Sequence, residues 1–83
     1  MDFIQLSDDY DLVQVDPPKE FIGKSLKTLN LRALYNVHII AIKELVPENF
    51  ILVPHADFVI KDSDILMILG KSEDIRKIKA LKS

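Results

Sequence analysis

Alternation of apolar and polar residues marks the first predicted strand. In "YDLVQV", Tyr10–Val15, the side chains of Leu12 and Val13 would point to opposite faces, the period of two that β-structure requires. A double proline follows, and proline cannot donate to a β-ladder. The pattern therefore predicts a strand over Tyr10–Val15 that ends before the prolines.

Helical spacing replaces this alternation in "KEFIGKSLKTLNLRALYN". Ser25 precedes an apolar i, i+3 pair, Leu26 and Leu29, and serine oxygens commonly cap helix N-termini. We predict a short helix from this cap through Leu29, with both leucines facing inward. Asn30 is predicted to cap a second short helix, Leu31–Tyr35.

β-Branched runs dominate the middle of the chain. Asn36 is predicted to end the second helix, because asparagine tolerates the left-handed conformation, and Val37–Lys43 follows as a strand. "LVPEN" reads as a loop and "FILVP" as a strand that Pro54 stops. An Asp-Ser-Asp turn then precedes "ILMILG", a continuously apolar strand predicted to be buried or centrally paired.

The last segment predicts a helix capped by Ser72. Glu73 and Asp74 occupy the end where the helix dipole favours acids. The other end is basic, and the predicted inner stripe consists of Ile75, Ile78 and Leu81. The predicted fold class is α+β: a small sandwich of a mostly antiparallel sheet, short helices and a C-terminal helix.

Length and composition restrict the class of protein. Eighty-three residues form one domain, and 48% hydrophobic with 29% charged residues is typical of an ordinary globular chain. The absence of cysteine excludes disulfides and thiolate sites and favours an intracellular setting. No apolar run approaches the roughly 18–20 residues that a membrane span needs, so no direct membrane insertion is expected.

Charge is unevenly distributed along the chain. Residues 1–20 carry six acids against one lysine, and residues 71–83 carry five bases against two acids. We interpret residues 1–9 as a linker-like leader, and Asp8, Asp9 and Asp11 as a solvated acidic cluster. Nucleic-acid binding is disfavoured, because the chain lacks a basic stripe with stacking aromatic residues.

Enzymatic chemistry finds little support in the sequence. Two glycines cannot build a P-loop or a Gly-x-Gly-x-x-Gly fingerprint. Ser25, His38 and Asp57 supply the residue types of a Ser-His-Asp hydrolytic triad, but the sequence around Ser25 does not resemble a nucleophile elbow. We therefore expect no enzyme.

His38 interrupts the apolar strand "VHIIAI". Strict alternation would place it on one face with Ile40 and Ile42. One interpretation is an edge histidine that bonds a backbone group. Another is a divalent-cation site formed with His55 and Asp57, although the sequence does not show that the three converge.

Longer stretches resemble a known family. "FIGKSLKTLNLRALYNVHIIAIKE", "ILVPHADFVIKDSDILMILG" and the amphipathic helix after them are similar, in this order and spacing, to the RCK_C (TrkA-C) regulatory domain of potassium-transport regulators. The resemblance covers Tyr10 to Leu81, and we assign residues 10–83 to this domain. His38 stands where ligand-binding relatives often have asparagine.

The resemblance implies a setting for the chain. Such domains usually follow a Rossmann domain that binds NAD or ATP, which this chain lacks, so no cofactor is expected in the fragment itself. They form homodimers about a two-fold axis, within a cytosolic ring of gating subunits on a membrane potassium transporter. The implied location is cytoplasmic, peripheral to the inner face of the cell membrane.

The resemblance also implies a ligand, cyclic di-AMP, in a cleft at the dimer interface, with inhibition of potassium uptake as the expected response. Arg32 would bind a phosphate, and His38 would donate to the phosphate or ribose. The remaining implied ligand-binding residues are the apolar walls Ile39, Ile40, Pro54, Leu26 and Leu31, with His55 and Ala56 along the base edge.

Two alternatives stay open on sequence alone. The domain could be a structural dimerisation module whose patch of Ile39, Ile40 and Pro54 is only a partner contact. It could also sense another small ligand or a divalent cation, using His55 and Asp57.

Overall fold

The computed structural model of the chain describes residues 3–83. Its centre is an antiparallel five-stranded sheet of order β1-β2-β5-β3-β4. The strands are β1 (Phe3–Gln5), β2 (Tyr10–Val15), β3 (His38–Leu45), β4 (Glu48–Leu52) and β5 (Ile65–Lys71). The predicted α+β class, with a mostly antiparallel sheet, is therefore confirmed; the two-fold dimer stays a prediction.

Three short helices and a single 3-10 turn accompany the sheet in residues 3–83. They are the 3-10 turn Lys19–Phe21 and the helices α1 (Leu26–Leu29), α2 (Leu31–Tyr35) and α3 (Ser72–Lys79). The core lies between these elements and one face of the sheet. Its buried side chains are Val13, Phe21, Leu29, Leu31, Val37, Ile42, Ile60, Leu66, Ile68, Ile75 and Ile78.

β5 is the central strand, as its unbroken apolar sequence predicted. It pairs with β2 on one side and β3 on the other. Leu66 and Ile68 are fully buried on the core face, whereas Met67 on the opposite face is half-buried. The strand is thus flanked on both edges, but only one of its faces is fully covered.

A β-bulge in β3 overturns the predicted alternation around His38. Ile39 pairs with Ile68, but Ala41 pairs with Met67, so Ile40 has no partner in the register. Cross-strand partners share a face of the sheet, and an extra residue shifts every later side chain to the other face. Consequently Ile42 lies on the core face, and His38, opposite Leu69, does not share a face with it.

The capping predictions for α1 and α2 are partly confirmed. Ser25 Oγ accepts a hydrogen bond from the Thr28 N–H at 3.1 Å, and Asn36 ends α2 in the left-handed conformation, φ 57°. Asn30 is also left-handed, φ 49°, but its side chain makes no capping bond. Asn30 is thus the N-cap residue of α2, as predicted, but it occupies that position through its backbone conformation and not through a side-chain bond.

Strand boundaries differ from the prediction around residue 47. β3 continues to Leu45 and β4 already begins at Glu48, so the predicted five-residue loop is a two-residue connection. The predicted strand over "FILVP" ends at Leu52, since Val53 has a positive φ of 49°. The sequence signal missed this hairpin because its polar residues, Glu48 and Asn49, lie inside the ladder.

The first turn of α3 also differs from the prediction. Ser72 is the first helical residue and Lys71 precedes it as the N-cap, without a side-chain bond. The Ser72 hydroxyl instead donates to Asp11 Oδ2 at 2.5 Å. Asp11 is only 7% exposed, so its assignment to a solvated cluster was wrong, whereas Asp8 and Asp9 are exposed.

Part of the predicted leader is a strand in the structure. β1 pairs with β2, with Ile4 opposite Leu12. The sequence pattern did not indicate this strand, since three residues are too few to show alternation. The division of the chain into residues 1–9 and 10–83 stays a prediction.

Candidate functional site

A cavity of about 340 Å³ lies where α1 and α2 meet the start of β3 and the segment after β4. Two short helices, the strand and the loop each contribute side chains. The lining residues are Leu26, Lys27, Asn30, Leu31, Arg32, Val37, His38, Ile39, Pro54 and Ala56. Residues distant in sequence therefore converge on one concave surface, as expected for a small-molecule site.

Most of the predicted ligand-binding residues line this cavity. Seven of the nine are among its lining: Leu26, Leu31, Arg32, His38, Ile39, Pro54 and Ala56. The other two, Ile40 and His55, are not. Ile40 occupies the β-bulge, where its carbonyl accepts a hydrogen bond from Val53 N–H at 2.8 Å. The binding role of each residue stays a prediction.

Sequence reasoning missed three lining residues: Lys27, Asn30 and Val37. Helical spacing contained a signal for one of them, because Asn30 follows Leu26 by four residues. Lys27 is adjacent to Leu26, and adjacent residues of a helix do not face each other. Val37 carried no such signal, since its side chain belongs to the core and is only 1% exposed.

Backbone hydrogen bonds join the two walls of the cavity. Lys27 N–H donates to Ala56 O at 2.7 Å, and Leu26 N–H donates to Phe58 O at 3.0 Å. These amides lie in the first turn of α1, where N–H groups lack partners within the helix. The segment after β4 satisfies them, and in doing so it fixes Ala56 beside α1.

The charge of the cavity is opposite to that of the chain. Its lining includes two cations, Lys27 and Arg32, together with His38, but no carboxylate, although acids outnumber bases by 13 to 11 in the whole sequence. Both cations are exposed, and within residues 3–83 neither forms an ion pair. Free cations beside apolar walls suit an anionic ligand with an apolar body.

A network of ion pairs holds the far end of the segment that carries Pro54 and Ala56. Lys61 Nζ lies 2.6 Å from Glu44 Oε2 on β3 and 3.4 Å from Asp64 Oδ1. The Lys61 ammonium lowers the pKa of Glu44, with a smaller contribution from the Asn49 amide. Reciprocally, the Glu44 carboxylate raises the pKa of Lys61.

The predicted Asp-Ser-Asp turn is part of this network. Asp64 N–H donates to Lys61 O at 3.1 Å, and Asp64 Oδ2 accepts from Lys61 N–H at 2.9 Å. The Asp64 side chain closes the turn from inside, because the residue is only 1% exposed. The structure thus anchors the segment at both ends, near Val53 and near Lys61.

Ser25, the serine of the hypothetical catalytic trio, has another role in the structure. Ser25 Oγ accepts from Thr28 N–H and donates to Thr28 Oγ1 at 3.0 Å, so its hydroxyl caps a helix. In the described residues, no group of three or more His, Cys, Asp and Glu could hold a metal ion. His38, His55 and Asp57 therefore do not form the cation site considered from the sequence.

The fold and the cavity define a small α+β domain with a cationic, apolar-walled cleft. The TrkA-C domain model matches residues 12–83. This match covers most of the chain, and the chain belongs to the TrkA-C (RCK_C) domain family, as the sequence resemblance indicated.

Two curated relatives come from Bacillus subtilis (strain 168). The chain is 34% identical over 77 residues to Ktr system potassium uptake protein C and, at the same identity and length, to Ktr system potassium uptake protein A. Each match covers 93% of this chain but 34% of the relative. The chain therefore spans about a third of the length of these relatives.

Solved structures share the fold. The RCK C domain of the potassium transport protein KtrA, in complex with cyclic di-AMP, matches with a TM-score of 0.76 and 30% identity, covering 87% of this chain and 82% of that one. The GsuK RCK domain matches with the same TM-score at 22% identity, covering 89% and 16%. The latter likeness bears on the fold alone.

Across the described residues, no helix has the length and apolar character needed to cross a membrane.

Proposed function

We propose that this chain is the ligand-sensing regulatory domain of a cytosolic gating subunit of a potassium transporter. It binds cyclic di-AMP in a cleft at a symmetric dimer interface and thereby inhibits potassium uptake. The observation that carries the proposal is the cavity between α1, α2 and β3, which combines Arg32, Lys27 and His38 with apolar walls and contains no carboxylate.

The chemistry of the ligand fits these side chains. A phosphate diester is anionic at neutral pH and accepts charge-assisted hydrogen bonds from the guanidinium of Arg32. His38 can donate to a phosphate or ribose oxygen. Adenine is flat and apolar on both faces, so Ile39 and Pro54 provide suitable walls for it.

Symmetry supports the dimeric form of the site. Cyclic di-AMP has two-fold symmetry, so an isologous interface presents each residue once to each half of the ligand. The ligand can regulate the subunit only if it prefers one dimer geometry, because equal affinity for two states shifts neither population. The complex of the KtrA RCK C domain with cyclic di-AMP supports the choice of ligand.

The wider assembly forms part of the same proposal. The relatives are potassium uptake proteins about three times longer than this chain. We infer that the domain acts within a ring of subunits at the cytoplasmic face of a membrane potassium transporter. NAD or ATP would bind a different domain of that subunit.

Calorimetric titration of the protein with cyclic di-AMP tests this proposal, with cyclic di-GMP and AMP as control ligands. One ligand should bind per two chains. Arg32→Ala should weaken binding about tenfold or more, because a hydrogen bond to a charged group contributes roughly 1.5–3 kcal/mol. Arg76→Ala is a matched control, since Arg76 is an exposed arginine on α3 outside this cavity.

Equal affinities for wild type and Arg32→Ala would contradict the phosphate role of Arg32. No heat and no rise in melting temperature with the wild-type protein would contradict the ligand itself.

A structural dimerisation module is the second candidate, and the uncovered face of the sheet favours it. Phe50 and Leu52 on β4 are 53% and 68% exposed, and Ile4 on β1 is 55% exposed. By their register these side chains lie opposite to the core face. An apolar surface of this kind is typical of protein contacts. In this case the dimer would form without any response to the nucleotide.

A further inference from the structure

We propose that Lys27 on α1 is a second phosphate-binding cation of the same cleft. This inference rests on the proposed function, because it assigns a partner to a residue of that site. Lys27 lines the cavity together with Arg32. The two residues belong to different helices, α1 and α2, so a phosphate between them would be held from two sides.

The backbone around Lys27 is fixed by a contact to the opposite wall. Its N–H donates to Ala56 O at 2.7 Å, and Ala56 also lines the cavity. The root of the lysine side chain is therefore held at the cavity, whereas its ammonium has a flexible four-carbon reach. The ammonium is therefore within reach of a ligand in the cleft, and its position can adjust to that ligand.

The ammonium has no structural partner in the described part of the chain. Lys27 is exposed, and no ion pair or side-chain hydrogen bond involves it. No ion pair within the described residues therefore explains a cation at this position.

The two cations differ in what they contribute. Arginine offers a planar fork that can bind two phosphate oxygens at once, whereas lysine acts as a point charge. In a two-fold dimer, Lys27 and Arg32 together would present four cations to the two phosphates of cyclic di-AMP. Arg32 would orient each phosphate, and Lys27 would add attraction that depends on ionic strength.

Lys27→Gln tests the inference, with Lys24→Gln as the matched control. Lys24 is three residues earlier, is exposed and does not line this cavity. Affinity for cyclic di-AMP would be measured by calorimetry at about 50 mM and about 500 mM salt. We expect Lys27→Gln to weaken binding roughly tenfold at low salt, with a smaller loss at high salt, and Lys24→Gln to bind as the wild type does.

Two further variants separate charge from shape. Lys27→Arg should bind cyclic di-AMP about as tightly as the wild type does, because it keeps the positive charge. Asn30→Asp keeps a residue that tolerates the left-handed backbone but adds a negative charge to the cavity lining, so it should weaken binding. Thermal unfolding of each variant without ligand verifies that the fold is intact.

The outcomes distinguish this inference from the proposed function. If wild type binds cyclic di-AMP and Lys27→Gln binds equally well at low salt, the inference is wrong while the proposed function stands. If wild type does not bind at all, the proposed function is wrong. A loss that is identical at both salt concentrations would also overturn the inference, because it would indicate a change of shape rather than of charge.

Discussion

At the scale of single residues, a β-bulge determines which face of the sheet the β3 side chains occupy, and alternation along the sequence does not predict it. Strict period-two spacing predicts that His38 and Ile42 share one face of a regular strand and that Ile39 lies on the other. The bulge at Ile40 separates them and places Ile42 in the core. A bulge depends on the register between two strands, so a single stretch of sequence does not indicate it.

Other residues were predictable because their conformation depends on local chemistry. Ser25 caps α1 and Asn36 ends α2, as expected from a hydroxyl acceptor and from an amide residue that tolerates positive φ. Arg32 was placed at the cleft by resemblance, and the structure puts it among the lining residues. Lys27 was missed, because an exposed lysine on a short helix is normally ordinary surface.

Gly70 permits a close approach between β5 and the residue before β3. A Cβ atom added to Gly70 would lie 2.6 Å from Val37 Cγ1, and Val37 is a stiff β-branched residue that is only 1% exposed. We predict that Gly70→Ala lowers the free energy of unfolding by about 1–3 kcal/mol, the usual cost of overpacking a core. Urea unfolding measures this change.

Val37→Ala tests whether the clash with Val37 causes the loss of stability in Gly70→Ala. Removing the Val37 methyls should make Gly70→Ala cost less in the double variant than in the wild-type background. Gly23→Ala is the control, since a Cβ at Gly23 meets nothing within 4 Å and its cost would come from the positive φ of 83°. Strict additivity of Gly70→Ala and Val37→Ala would contradict the proposed clash.

At the scale of elements, the sequence pattern predicted the existence of the longer strands and helices better than it predicted where they begin and end. β2, β5 and the two short helices were predicted from periodicity, while β1 is too short to show a period. The boundaries of β4 were displaced because Glu48 and Asn49 are strand residues with loop-like composition. The start of α3 depends on Asp11, 61 residues away in sequence, and no local rule reports such a contact.

The element most relevant to the site is the segment after β4. It carries Pro54 and Ala56 to the cavity and ends at the turn beginning with Lys61, which pairs with Glu44 on β3. The pKa of Glu44 is lowered from its ordinary value of 4.5 by the Lys61 ammonium. A carboxylate with a lower pKa in the folded state contributes stability that is present above that ordinary value and is lost as pH falls through the folded-state pKa.

We predict from this linkage that Glu44→Gln makes stability less dependent on pH below 4.5. The wild-type protein should lose the contribution of Glu44 in that range, whereas the variant has no carboxylate at this position to protonate. The measurement is the melting temperature of both proteins between about pH 3 and pH 7.

Glu48→Gln is the matched control, because Glu48 is exposed and forms no ion pair in residues 3–83. It should leave the pH dependence close to that of the wild type. If Glu44→Gln and wild type show the same slope in acid, the Glu44–Lys61 pair does not contribute to stability.

At the scale of the whole molecule, the domain has two surfaces of the kind that bind partners or ligands: the cleft and the uncovered face of the sheet. The cavity of about 340 Å³ would serve as half of a two-fold site under the proposed function. Its lining comes from two helices, a strand and the segment after β4. Sequence resemblance identified most of these residues, because the motifs that carry it include Arg32 and Pro54. That Lys27 and Arg32 share a cavity without a carboxylate could be recognised only from the folded structure.

The proposed half-site makes ligand binding and dimerisation thermodynamically linked. A ligand that binds the dimer but not the separate chains shifts the monomer–dimer equilibrium toward the dimer. We therefore predict that cyclic di-AMP lowers the protein concentration at which half of the chains are dimeric, as measured by sedimentation equilibrium. Arg32→Ala should reduce this shift, measured for each protein against its own monomer–dimer equilibrium without ligand.

Stoichiometry and stability give the same prediction a second measurement. Saturation at one ligand per two chains, together with a stabilisation of about 2.7 kcal/mol at a ligand concentration 100 times the dissociation constant, is expected for a site shared by both protomers. One ligand per chain on a monomeric protein would contradict the symmetric cleft, because a single protomer would then supply the whole site. If the protein concentration at which half of the chains are dimeric does not change with cyclic di-AMP, the structural dimerisation module is favoured. Its contact would be the apolar face around Phe50 and Leu52.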